Sequence, residues 1–123
     1  MGTYRDLDVY KKSYKLALDI HILSMKLPQS LQFDLADQIR RSSRSIPSNI
    51  AEGFARSKSK KDTINFLKTA VGSADEVLFN LEFMKDTELI SSKDFEFLFS
   101  EYKFCTKQIS SLIKYTDGEK LNN

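Results

Sequence analysis

The chain holds one cysteine and one histidine in 123 residues. A lone Cys105 forms no internal disulfide, which fits a reducing compartment. Cys105 and His21 together also fall short of the three or four ligands of a zinc site. HExxH, a glycine-rich phosphate loop and a Gly-x-Ser-x-Gly elbow are all absent. Glu76 and Glu82 stand too far apart along one predicted helix to work as a carboxylate pair, and no Glu-x-x-His offers a carboxylate metal site of the bundle kind. The expectation is therefore a protein that is not an enzyme and has no cofactor or metal. Four glycines and two prolines leave little material for turns, so few, long elements are expected. No stretch approaches the roughly 20 apolar residues of a membrane span, and no apolar run precedes a cleavage site near the start. The expected location is cytoplasmic, without membrane contact.

What is present suits a single soluble domain over residues 1–123, with 41% hydrophobic and 29% charged residues. Apolar residues at spacings of three and four predict four helices, at about 8–27, 31–57, 60–86 and 92–116, followed by a loose polar tail at 117–123. The first places Val9, Leu16, Ile20, Leu23 and Leu27 on one seam. The second, with Ser30 as a candidate N-cap, carries Leu35, Ile39, Ser43, Ile46, Ile50 and Gly53. The third opens on the capping box Ser59-x-x-Asp62 and aligns Leu67, Ala70, Ala74, Val77, Leu81 and Met84. The fourth opens on Ser91-x-x-Asp94 and aligns Phe95, Leu98, Tyr102, Cys105, Ile109 and Leu112. Short connections force antiparallel neighbours, so the fold class is all-α, an antiparallel up-and-down four-helix bundle. Burial on the fourth seam is expected to raise the Cys105 pKa and leave the thiol inert. His21, between two apolar stripes, is expected to be a packed or interfacial side chain.

Pro47 falls inside the second helix. Because the apolar spacing runs in phase through it, a kink is expected rather than a break. Ser43, Ala51 and Gly53 are small enough to let a neighbouring helix approach. Asn49 and Glu52 are read either as a polar network with Arg56, four residues after Glu52, or as a subunit contact.

Some apolar residues belong to none of the four seams. Leu18, Ile22 and Met25 form a second stripe on the first helix, Phe79 and Phe83 are a turn apart on the third, and Phe97 and Phe104 are two turns apart on the fourth. Either a wide stripe buries them within one chain or they form an interface between chains.

Charge is uneven. Arg40, Arg41, Arg44, Arg56, Lys58, Lys60 and Lys61 share their stretch with one acid, Glu52, for a local net of +6 in a chain of net +2. Such a cluster is either a solvated face or a contact for nucleic acid or another polyanion. No aromatic alternates with these charges, so backbone or shape recognition is expected over base reading.

The run RRSSRSIPSNIAEGFARSKSKKD at 40–62, with FLKTAVGSADEV at 66–77 and Asp6-Leu7 and Val9-Tyr10 upstream, resembles the bacterial 23S rRNA intervening-sequence protein family. That family is similar to the accessory variability determinant of diversity-generating retroelements, a pentameric bundle that binds nucleic acid and a reverse transcriptase. The resemblance implies a four-helix bundle in a homopentameric ring. It also implies a structured RNA, or DNA, as partner through the basic surface, with a protein scaffold for a reverse transcriptase or another protein as the alternative. Ser45 to Gly53, with Pro47, Asn49, Glu52 and Gly53, is the most specific part of the match.

Overall fold

The computed structural model describes residues 2–118. A 3-10 turn at Tyr4–Asp6 leads into α1 (Asp8–Met25), and a second at Gln29–Leu31 precedes α2 (Leu35–Ala55), α3 (Lys60–Asp86) and α4 (Ser92–Thr116). No strand occurs among the described residues. The fold is all-α.

Side chains that reach between helices give the direction of each. Arg40 near the start of α2 reaches Ser24 near the end of α1, while Pro47 and Ala51 lie beside Tyr10 and Tyr14. Ser45 meets Ser73, and Gly53 meets Thr63 and Phe66. Lys85 sits 4.8 Å from the Phe95 ring centroid, Lys60 and Ile113 share a recess, and Lys12 reaches Glu101 of α4 at 2.7 Å. Each helix is therefore antiparallel to the next, α4 packs back on α1, and α1 and α3 lie on a diagonal of the bundle.

The expected seams are the core. Ile20, Ile39, Ile46, Ile50, Leu67, Val77, Leu81, Met84, Tyr102, Cys105 and Ile109 are fully buried, the arrangement that apolar spacings of three and four impose on a bundle. The α3 and α4 starts follow their local caps: Ser59 Oγ accepts from the Asp62 amide at 3.0 Å, and Ser91 Oγ accepts from the Asp94 amide at 3.1 Å. At the end of α3, Glu88 adopts a left-handed φ of 59°. The Leu89 amide there donates to the Met84 carbonyl at 2.7 Å, closing the helix without a glycine.

The α1–α2 connection differs from the expectation. Helix α1 stops at Met25, Ser30 belongs to a separate 3-10 turn and does not cap α2, and α2 begins after Asp34. Pro28 has no N–H for the Ser24 carbonyl and disfavours helix at Leu27, and the Gln32 side chain takes up the freed groups, its Nε2 donating to the Ser24 and Leu27 carbonyls at 2.9 Å each. Phe33 is left 92% exposed. Helix α2 then continues without interruption through Pro47 to Ala55, two residues short of the expected end, and Ser57 Oγ donates to the Gly53 carbonyl at 2.6 Å. Of the expected tail, Asp117 and Gly118 form a turn after α4, and 119–123 lie outside the described residues.

Burial pushes the Cys105 thiol up to about 11, with Glu101 adding to the rise and Lys12 opposing it. An acid whose folded pKa is raised contributes its stability in full below the ordinary value of 9.0, and that contribution is lost as pH rises through about 11. Native protein treated with iodoacetamide at pH 8 should therefore keep its unmodified mass, and denatured protein should gain one adduct. Rapid native labelling would place the thiol at the surface.

Candidate functional site

The seven basic residues do not form one patch. Arg44 and Arg56 are separated by twelve residues of helix, about 18 Å at 1.5 Å per residue. Near the start of α2, Arg40 turns inward and is half-buried. One guanidinium nitrogen donates to Ser24 Oγ at 2.9 Å and Gln32 Oε1 at 3.1 Å, and the other donates to the Gln32 carbonyl at 2.9 Å. With its donors engaged at the α1–α2 junction, Arg40 clamps the fold and is not offered to a ligand. Arg41 lies 3.2 Å from Asp37 in an exposed pair one turn away, an interaction worth little in water. Arg44 is exposed, with no carboxylate within salt-bridge distance among the described residues.

Arg56, Lys58, Lys60 and Lys61 lie at the far end of the bundle, where all four are exposed. There Lys60, Lys61 and Lys68 border a recess of about 370 Å³ with Ile113 of α4 and Asp117 just after it. The Asp62 amide is already used by Ser59, and the Asp62 carboxylate accepts from the Lys58 amide at 3.1 Å, so this helix start is not an open phosphate cradle. The opposite end of the bundle is acidic. Asp75, Glu76, Glu82, Asp86 and Glu88 lie in or just after the second half of α3, with Asp94 and Glu96 at the start of α4. Lys26, Arg40, Arg41, Lys85 and Lys93 stand at that end too, so the two ends differ by an excess of one sign and not by complete separation of charge.

Between α1 and α2 runs a groove of about 320 Å³. Its walls are Tyr10, Tyr14, Leu18 and His21 from α1 and Arg44, Pro47 and Ser48 from α2. His21 is thus an exposed groove residue, which excludes the packed alternative within one chain. Aromatics that do not alternate with the charges in the basic run are supplied here by a different helix. Tyr10 and Tyr14 have ring centroids 6.1 Å apart, and Tyr4 meets Tyr10 edge-on at 5.0 Å.

The apolar residues outside the seams are exposed in the single chain, so the wide-stripe reading fails: Leu18, Ile22, Met25, Phe79, Phe83, Phe97 and Phe104 are each at least half accessible. They divide among faces. Leu18 turns toward the α2 groove, Ile22 and Phe97 share an α1–α4 recess, and Phe104 borders another with Leu112 and Tyr115. Phe79 and Phe83 lie on α3, across the bundle diagonal from α1. Phe33, Tyr14 and Tyr115 join the exposed apolar residues; isolated between breaks in periodicity or beside polar residues, they gave no seam signal.

In the Ser45–Gly53 motif, Asn49 Nδ2 donates to the Ser45 carbonyl at 2.8 Å and to Ser45 Oγ at 2.9 Å, and Ser73 Oγ donates to Ser45 Oγ at 2.8 Å. The polar network thus ties α2 to α3 and does not run to Arg56. Glu52 and Arg56 are joined only through the backbone, the Arg56 amide donating to the Glu52 carbonyl at 3.0 Å. Gly53 is where the helices nearly touch: a Cβ there would lie 3.2 Å from Phe66 Cβ. Among the described residues no three His, Cys, Asp or Glu side chains cluster as metal ligands. Nor does any helix among them have the length and apolarity to cross a membrane.

An antiparallel four-helix bundle with one basic end and an aromatic groove along α1 and α2 is the class of protein defined here. The chain belongs to the 23S rRNA-intervening sequence protein family, whose model matches residues 5–111. It is similar to the crystal structure of a protein with unknown function from the S23 ribosomal protein family of Bacteroides thetaiotaomicron. The two share 33% sequence identity with a TM-score of 0.79, over 86% of this chain and 95% of that one. No curated protein matches the sequence.

The inward placement of Arg40 separates it from Arg44 in a measurable way. Arg40→Gln removes charge-assisted hydrogen bonds at a junction and should lower the unfolding free energy by about 1–3 kcal/mol. Arg44→Gln should stay within about 0.5 kcal/mol of the parent in a urea titration. Equal effects from both would refute the clamp.

Proposed function

We propose that this chain is a non-enzymatic, self-associating bundle of the cytoplasm that binds nucleic acid, foremost structured RNA, through its basic end. The observation that carries the reading is the excess of positive charge at one end: Arg56, Lys58, Lys60, Lys61 and Lys68 outnumber Asp62 and Asp117 there, while the carboxylates of the second half of α3 and the start of α4 lie toward the other end. A phosphate backbone is drawn to such an end more than to the other, so the excess orients the ligand as well as attracting it. The family's description as a 23S rRNA-intervening sequence protein points the same way.

Self-association is supported by two exposed apolar faces on diagonal helices. Leu18, Ile22 and Met25 of α1 have Lys11 and Lys26 nearby, whereas Phe79 and Phe83 of α3 are flanked by Asp75, Glu76, Glu82 and Asp86. Faces that differ in charge and lie on opposite sides favour head-to-tail packing that closes into a ring over a two-fold dimer; the ring we propose has five chains. A bend at Pro47 belongs to this reading. The missing N–H leaves the Ser43 carbonyl without its helical partner, which tilts the start of α2 against its end. A second reading, a scaffold for a protein such as a reverse transcriptase, is favoured by Phe97 and Phe104, which lie on the α4 side and outside the pairing of α1 with α3.

Two measurements test the proposal. Light scattering on the eluting protein should give about five times the 14.2 kDa chain mass. Phe79→Asp, at a position 66% exposed and hence tolerant in the single chain, should dissociate the assembly with helicity retained. A 14.2 kDa species for the parent would contradict the ring. Fluorescence anisotropy with a labelled RNA duplex should give an affinity that falls with salt. Replacing Arg56, Lys58, Lys60 and Lys61 together by Gln should flatten the slope of log K against log salt by about 0.9 for each phosphate no longer neutralised. Unchanged affinity and slope would assign these charges to another role.

A further inference from the structure

We propose that the α1–α2 groove is a stacking site for unpaired bases of a single-stranded or looped nucleic acid. This deepens, and rests on, the nucleic-acid reading above, but concerns a different surface and a different part of the ligand.

Four observations converge on it. The groove has about 320 Å³ of free volume, at the low end of the roughly 300–1,000 Å³ of small-ligand sites, enough for a planar ring but not for a duplex. Tyr14 stands at its mouth, 52% exposed, and leans on Tyr10 at 6.1 Å with the rings tilted by 36°. Tyr10 meets Tyr4, on the turn before α1, edge-on at 5.0 Å, so the row of rings extends from the groove past the start of α1. Arg44 faces the same groove from α2, and Arg5 lies 5.2 Å from the centroid of the Tyr4 ring; neither has a carboxylate within salt-bridge distance among the described residues. Aromatic faces bordered by unneutralised guanidiniums are what an unpaired strand requires: each base has a π-face to stack, and each phosphate beside it needs a cation. Ser48 Oγ and the His21 ring on the walls offer groups for base edges.

The direction of the row fits a strand. Because α1 is antiparallel to α2, the order Tyr14, Tyr10, Tyr4 leads from Arg44 toward the end where α2 reaches Arg56. The turn carrying Tyr4 packs directly on α2. A strand laid along the tyrosines therefore arrives at the basic end, where its duplex or folded continuation meets Arg56, Lys58, Lys60 and Lys61. Single-stranded recognition by stacking is tolerant of sequence, so the groove selects unpaired over paired nucleic acid and not one base over another.

The chain contains no tryptophan, which gives the test an unobscured signal. Tyr14→Trp keeps a stacking ring and introduces one indole, and Tyr14→Leu removes the ring at an exposed position. The probes are a twelve-nucleotide oligouridylate, the same length of oligoadenylate, and a blunt RNA duplex. In the parent protein all three should bind. Tyr14→Leu should weaken both single strands about tenfold, as expected when one stacking ring is removed, with the duplex affinity unchanged. Tyr14→Trp should restore the single-strand affinity, and its indole emission should be quenched by the oligonucleotides and not by the duplex. Single-strand binding unaltered by Tyr14→Leu, with indole emission unmoved, would overturn the stacking site while duplex binding still upheld the basic end. Failure of the parent to bind any probe would overturn both.

Discussion

The near approach of α3 to α2, at Gly53, is the constraint from which the arrangement of the surface follows. A Cβ there would sit 3.2 Å from Phe66 Cβ, a few tenths of an ångström tighter than an ordinary contact, so glycine lets the two helices approach at that level without displacing Phe66. The hydroxyl and amide hydrogen bonds of Ser45, Asn49 and Ser73 fix the same pair of helices at mid-height. With the α2–α3 pair locked, the short connection from Arg56 to Ser59 has one course open to it. It carries the chain over the end of the bundle, and Lys60 and Lys61 at the start of α3 stand beside the end of α4.

The same logic places the second surface. Arg40, engaged by Ser24 and Gln32, pins the start of α2 to the end of α1. This brings Arg44 level with Tyr10, Tyr14 and His21. A clamp, a close helix pair and a bundle core together present cations at two heights along one side of the molecule, with a row of aromatic rings between them. The acidic half of α3 and the start of α4 lie away from that side's basic end. Binding and assembly thus draw largely on different residues, with Leu18 shared between the groove wall and the exposed apolar stripe of α1.

Much of the fold was legible because its causes are local. Seams at spacings of three and four map directly to burial, and Ser59 and Ser91 cap the helices they precede. The start of α2 was not legible, since Gln32 takes up the end of α1 through carbonyls five and eight residues earlier, an interaction with no periodicity to announce it. The basic run looked like one cluster because sequence distance hides the length of a helix: about 1.5 Å per residue separates Arg44 from Arg56 by more than half of α2. Arg40 looked like a ligand-binding residue for a related reason, as nothing in its neighbours shows that Ser24 lies within reach. The aromatic groove was hidden because its rings and its arginine are about thirty residues apart and meet only once α1 and α2 pack.

The central claim is that nucleic acid lies on the basic end and along the tyrosine row, and ultraviolet crosslinking read by peptide mass spectrometry tests it most directly. With an RNA hairpin bearing a single-stranded extension, the account predicts adducts on peptides containing Tyr10 or Tyr14 and on the segment from Arg56 to Lys68. Peptides covering Asp75 to Glu96 should be free of them. Adducts concentrated on the acidic half of α3 and the start of α4, or spread evenly over the surface, would contradict it.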